Sequence, residues 1–344
     1  MGRACSGKRI HPILCEFSSI HFGVNATQFP PLRTSHRITG LVAAPFTPLS
    51  DDCELALARI PVYAASLVRD GVAGAFICGT TGEGASLTTA ERMTVASAWC
   101  SIPRLPIRII VHVGHNSGAD SRNLARHAQK VGADAIATLA PSVFRPTDIA
   151  GLVDWCALIA AAAPRLSFYY YHMPSMAGAD FGMAEFLRAA SRRIPTFAGI
   201  KFTHDNLMDF GDTLRAAGTQ HSVLAGRDEI LISYLVLGAT GAVGSTYNYA
   251  APIYHQLIAA HAAGDLKTAR KWQDLVRAFI GVMARSGGMS ANKAIMGMVT
   301  GIECGPVRLP LRSLGKAHKA RLRADLTKIG FFAGLAAARR AAVK

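Results

Sequence analysis

The segment Phe197-Ala198-Gly199-Ile200-Lys201-Phe202-Thr203 sets one lysine inside an apolar, strand-like run, with no acidic neighbour in sequence. Burial disfavours an ammonium group and lowers its pKa. A lysine that is neutral near pH 7 is a nucleophile, and with a ketone it gives a Schiff base. The alternative is a lysine at a strand end that snorkels to water. Strand alternation puts Lys201 and Thr203 on one face, with Ile200 and Phe202 on the other.

Working outward, seven more short apolar runs have the same character: Ile38–Ala44, Gly74–Gly79, Arg108–Gly114, Asp134–Ala140, Leu166–Tyr171, Ser222–Gly226 and Gly241–Ser245. Amphipathic stretches lie between them, such as Glu54–Asp70, Thr88–Cys100, Ser121–Val131 and Pro146–Ala163. Strand and helix alternating eight times in one chain predicts an α/β fold, a (β/α)8 TIM barrel. A doubly wound open sheet would want a glycine-rich GxGxxG turn after its first strand. Here that strand runs into Ala44-Pro45-Phe46-Thr47-Pro48. The remainder reads as a C-terminal helical extension, with Pro252 at a helix start, Gly264 at a break, and helices over Trp272–Ala284 and Ala291–Val299. The expected organisation is therefore an N-terminal extension over 1–37, disordered or targeting, a barrel over 38–250 and helices over 251–344.

Half of the 344 residues are hydrophobic and 17% are charged, enough to bury a large core. No apolar run reaches the roughly 20 residues of a membrane span. Seven scattered cysteines, an odd number without a CxxC pair, suit free thiols in a reducing compartment. The net charge of +15 sits mostly in the ends: residues 1–37 hold five basic residues and one acid, and residues 308–344 hold ten and one. The C-terminal basic residues alternate with Leu and Ala, as on a solvated helix face, so no nucleic-acid partner is expected. A basic, serine-containing start loosely fits organelle targeting. The expected compartment is the cytoplasm, with an organelle as the alternative.

In a (β/α)8 barrel, chemistry sits at the C-terminal ends of the strands. The second strand ends in Gly79-Thr80-Thr81-Gly82-Glu83-Gly84, whose glycines and hydroxyls can form a nest for a carboxylate. An ordinary polar loop is the other reading. On the fifth strand Tyr169 and Tyr171 share a face. If strands five and six are neighbours, Tyr171 meets Lys201 and can move protons while a carbinolamine forms and collapses. Asp228-Glu229 follows Gly226 at the seventh strand end, where acids either start a helix or accept bonds from polyol hydroxyls. Ser245 and Thr246 end the eighth strand and suit ligand contact or a turn. His172 reads as a packing or loop histidine. No His, Asp or Glu spacing suggests a metal, so neither metal nor other cofactor is expected.

These motifs together resemble the pyruvate-dependent class I aldolase family that includes dihydrodipicolinate synthase and N-acetylneuraminate lyase. The resemblance covers about Ile38 to Leu311. Its animal N-acetylneuraminate lyase branch is most similar, through Phe168–Pro174, Gly199–Thr203 with Leu207–Gly211, and Gly238–Tyr249. The resemblance implies a (β/α)8 barrel with a helical extension, a homotetramer, and a small sugar acid as substrate. It implies that Lys201 forms the Schiff base and Tyr171 transfers protons. By the same implication Thr80, Thr81 and Gly82 hold the substrate carboxylate. Thr203, Gly226, Asp228, Glu229 and Ser245 would contact the hydroxylated tail. The implied reaction cleaves N-acetylneuraminate to N-acetylmannosamine and pyruvate. The alternatives are an aldolase for another 2-keto-3-deoxy sugar acid or 4-hydroxy-2-oxoglutarate, and a non-catalytic sugar-acid-binding homologue. Two positions depart from relatives. Met176 stands where dihydrodipicolinate synthase has a carboxylate-binding arginine, and a thioether cannot pair with a carboxylate. Val143 follows Pro141-Ser142 where the family usually has an aromatic, so sugar specificity is more exposed to change than the Schiff-base chemistry.

Overall fold

The computed structural model describes Met1 and residues 37–342. The expected N-terminal extension thus lies almost entirely outside the described residues. The described residues from Arg37 onward belong to one compact unit.

All eight expected strands are present: β1 (Gly40–Ala43), β2 (Gly74–Ile77), β3 (Arg108–His112), β4 (Ala135–Thr138), β5 (Ser167–His172), β6 (Phe197–Phe202), β7 (Ser222–Ala225) and β8 (Gly241–Gly244). They are parallel and pair in sequence order, and β1 pairs with β8 over four residues, from Gly40↔Gly241 to Ala43↔Gly244, closing the ring. The helices between them are α1 (Ile60–Arg69), α2 (Thr89–Cys100), α3 (Gly118–Lys130), α4 (Ile149–Ala160), the single-turn α5 (Pro174–Ala177), α6 (Met183–Arg193), α7 (Leu207–Ala217) and α8 (Leu231–Val236). After β8 come α9 (Tyr247–Ala262), α10 (Leu266–Arg285), α11 (Met289–Thr300), α12 (Lys316–Lys328) and α13 (Phe331–Ala342). Among the described residues no helix is long and apolar enough to cross a membrane.

Local chemistry explains several of these boundaries. Thr88 and Glu91 make a reciprocal capping box at the start of α2. Ser117, Asp148 and Asn206 accept backbone N–H bonds at the starts of α3, α4 and α7. One expectation fails: Pro252 lies inside α9 rather than at its start. This proline removes one backbone donor, but α9 is buried along its first half, and packing around Tyr249, Ile253 and Tyr254 outweighs that loss. The helix also runs across the boundary expected at 250/251.

Alternation along each strand splits the core in two. Val42, Phe76, Ile110, Tyr169, Leu224 and Val243 fill the barrel interior. Leu41, Ile77, Val111, Phe168, Ile200 and Phe202 face the surrounding helices. Gly199 shows how tightly β6 and β7 approach. Its φ is +154°, and a Cβ there would stand 1.9 Å from the Ser222 carbonyl oxygen. We expect Gly199→Ala to cost at least about 3 kcal/mol in urea unfolding, or to prevent folding, because backbone must move to admit the methyl. A loss below about 1 kcal/mol would show that the strands can separate locally.

Candidate active site

Across β5 and β6, Tyr171 is the register partner of Lys201. Both residues are buried in the barrel interior, as expected for adjacent strands. The Lys201 Nζ lies 3.7 Å from the Tyr171 ring centroid and 4.1 Å from that of Phe76. Aromatic faces attract a cation weakly, whereas burial penalises it. Burial dominates and lowers the Lys201 pKa, while the Tyr171 hydroxyl and the Asp228 carboxylate act in the opposite sense. The other buried lysine, Lys293, has a carboxylate at 2.8 Å; among the described residues Lys201 has none within ion-pair distance. The Tyr171 hydroxyl donates to the Met173 sulfur at 3.1 Å, a weak acceptor that leaves it able to move protons.

Sequence reasoning missed His112. It ends β3 two residues after the inward-facing Ile110, so strand parity alone could have found it. Its ring packs edge-on to Tyr171 at 5.9 Å and beside Phe76 at 6.0 Å. Burial, with Arg92 and Lys201 adding to it, holds its pKa well below the usual imidazole value, so the ring is neutral.

A cleft of about 520 Å³ opens at the C-terminal ends of β2 to β5, and Thr80, His112, Leu139, Ser142 and Met176 are among its lining residues. Lys201 itself does not line it; His112 links the cleft to the Lys201 pocket. Met176 faces Thr80, its sulfur 4.0 Å from the hydroxyl, so a thioether occupies that side of the cleft. Val143 and Phe144 are exposed, at 67% and 89%, and neither lines the cleft.

The Gly79–Gly84 loop is held from below. Thr81 is buried, and the Gly82 carbonyl accepts the Thr47 hydroxyl at 2.7 Å. Glu83 takes a left-handed backbone (φ +54°) and buries its carboxylate against Lys293 of α11 and the Arg308 backbone N–H, each at 2.8 Å. Neither of these anchors is legible near Glu83 in sequence.

On the opposite wall, Asp228 opens a short 3-10 turn (Asp228–Ile230), so the helix-start reading holds. Its carboxylate is nonetheless buried and accepts bonds from the Thr246 backbone N–H (3.1 Å) and hydroxyl (2.6 Å). The Asp228 Oδ1 lies where a Cβ on Gly244 would sit, and the Tyr247 hydroxyl interacts with the same carboxylate. Thr203 is likewise buried with an unpartnered hydroxyl, packed against Gly226, where a Cβ would be 2.0 Å away. Glu229 pairs with Arg227 at 3.1 Å. Ser245 accepts a bond from Asn292 of α11 at 2.9 Å. The expected tail-binding residues thus gather at the ends of β6 to β8, with the Thr203 hydroxyl uncommitted.

A closed barrel with a desolvated, unpaired lysine and a tyrosine at its C-terminal end defines a scaffold for lysine-dependent carbonyl chemistry. The chain belongs to the dihydrodipicolinate synthetase family, whose model matches residues 37–329. It is 42% identical over 299 residues to the N-acetylneuraminate lyase of Mus musculus, covering 86% of this chain and 93% of that one. Among solved structures it is similar to the N-acetylneuraminate lyase of Proteus mirabilis (TM-score 0.83, 38% identity, 86% of this chain and 99% of that one). The lyase of Aliivibrio salmonicida matches with the same TM-score and identity over 86% and 98% of the two chains.

Two outcomes follow from these burial patterns. Burial raises the Asp228 pKa to about 6, against the opposing hydrogen bonds from Thr246. A raised carboxylate pKa means that the folded state holds a proton the unfolded chain has lost, so stability falls as pH rises from about 4 to about 6. Asp228→Asn keeps an acceptor for Thr246 and removes that slope. Across this window the parent loses up to roughly 3 kcal/mol relative to the variant in chemical unfolding at stepped pH. Lys293→Met strands the Glu83 carboxylate and costs about 3–5 kcal/mol, while adding Glu83→Gln recovers much of it; a double-mutant cycle of urea unfolding reads both.

Proposed function

We propose that the chain is a Schiff-base aldolase that cleaves N-acetylneuraminate to N-acetylmannosamine and pyruvate. The observation that carries this is the Tyr171–Lys201 register pair, with the amine desolvated and, among the described residues, without a carboxylate within ion-pair distance. The similarity to N-acetylneuraminate lyases over most of the chain supports the substrate.

The amine of Lys201 attacks the substrate ketone carbon, and loss of water gives an iminium. Tyr171 exchanges the protons that these steps require. The iminium draws in the electrons of the C3–C4 bond as the C4 hydroxyl loses its proton. The sugar leaves as an aldehyde and an enamine stays on the lysine. Protonation at C3 and addition of water then release pyruvate and the free amine. Thr80, Thr81 and the Gly82 backbone hold the carboxylate in this reading. The uncommitted Thr203 hydroxyl and the Asp228 carboxylate donate to or accept from the polyol tail, with Gly226, Glu229 and Ser245 beside them. The aldolase works as a homotetramer in the cytoplasm, the exposed Val143 and Phe144 suiting an apolar contact with a second copy.

Borohydride reduction tests the proposal. Incubation with either pyruvate or N-acetylneuraminate followed by reduction is expected to leave a pyruvate-derived adduct on Lys201, mapped by peptide mass. An adduct with pyruvate alone would keep the chemistry and discard the sialic acid, pointing to another 2-keto-3-deoxy sugar acid. No adduct with either would sink the Schiff-base reading. Lys201→Met forms no adduct and unfolds at a temperature no lower than the parent at pH 7, since it removes a buried unpaired amine.

A further inference from the structure

His172 is fully buried at the end of β5, and neither of its ring nitrogens has a hydrogen-bond partner among the described residues. Buried polar atoms are rarely left in that state. The parity of β5 turns His172 away from Tyr171, onto the helix-facing side, where its ring packs against Tyr170 and Phe202. On that side it meets His204, which follows β6, with ring centroids 5.7 Å apart. Asp180, in the connection between α5 and α6, brings a carboxylate oxygen to 3.7 Å from His204 Nε2. One ligand atom from each of the three residues falls within 4.8 Å of the other two.

We infer that His172, His204 and Asp180 form a binding site for a first-row divalent metal ion of the zinc class. Two imidazoles and one carboxylate are borderline donors, suited to Zn²⁺ or Co²⁺ and poorly suited to Mg²⁺ or Ca²⁺. In a tetrahedral site with bonds of about 2.0–2.1 Å the donor atoms stand roughly 3.3–3.5 Å apart. The Asp180–His204 pair is within a few tenths of an ångström of that, and Asp180 is exposed and can rotate inward.

The surroundings of His204 suit a ligand. Its Nδ1 accepts the Asp205 backbone N–H at 2.9 Å and also lies 2.9 Å from the Asp205 carboxylate, and the Tyr234 hydroxyl donates to its backbone carbonyl at 2.5 Å. These contacts hold Nδ1 against Asp205 and leave Nε2 facing Asp180. Three protein ligands leave a fourth position for water, and the exposed Asp180 gives a solvent path. The site lies behind the strands that carry Tyr171 and Lys201, so the metal joins the segments following β5 and β6 and takes no part in carbonyl chemistry. It does not rest on the aldolase reading. The linear sequence conceals it, because the ligands come from three separate segments and no local spacing connects them.

Titration of the metal-stripped full chain with Co²⁺, followed by visible absorption, tests the site. One Co²⁺ per chain, with the ligand-field bands of a low-coordinate nitrogen–oxygen site bleached by Zn²⁺, is expected. His204→Gln and Asp180→Asn change partly or fully solvated side chains, so both variants fold. Each is expected to weaken Co²⁺ binding by at least about 100-fold, and Asp205→Asn by about 10-fold. Absence of the bands, or binding that all three variants leave unchanged, would overturn the site, the latter by placing the metal on histidines elsewhere in the chain.

Discussion

The hydrogen bonds that join β1 to β8 convert a run of short parallel strands into a closed ring, and the site depends on that closure. In an open parallel sheet helices would cover that face of β6 instead. Closure encloses Lys201 among Phe76, Tyr171 and the other interior side chains. Desolvation then lowers its proton affinity, outweighing the opposing pull of Tyr171 and Asp228. Small residues permit this: Ala135, Ala137 and Ala198 line the interior, and Gly199 lets β7 approach β6.

The two buried lysines show how environment separates chemistry from structure. Lys293 has a carboxylate at 2.8 Å and a backbone carbonyl at 2.6 Å, which fix its side chain as an anchor for the Gly79–Gly84 loop. Lys201 lacks that carboxylate and keeps its nitrogen available. Similarly, Asp228 is positioned by the backbone N–H and hydroxyl of Thr246. The helices after β8 contribute directly: α11 supplies Lys293 beneath one wall of the site and Asn292 beneath Ser245 in the other.

Much of this was legible in the linear chain. The eight strands follow from short apolar runs separated by amphipathic stretches, a pattern whose period is local. Tyr171 and Lys201 stand out because alternation fixes which residues share a strand face. Pro252 was misread because a local helix-start rule ignored the burial that stabilises α9 around it. His112 was overlooked although its parity with Ile110 is plain.

By itself, then, the sequence determined the order and type of elements, the inward face of each strand, and the membership of a family built on a reactive lysine. Only the tertiary structure decided that Lys201 has no carboxylate within ion-pair distance among the described residues, that Glu83 is locked to Lys293 across 210 positions, that Phe144 stays outside the cleft, and that His172, Asp180 and His204 converge. The physical reason is range. Periodicity and propensity act over a few residues, whereas desolvation, ion pairing and metal-ligand convergence depend on distances in space that chain closure alone establishes.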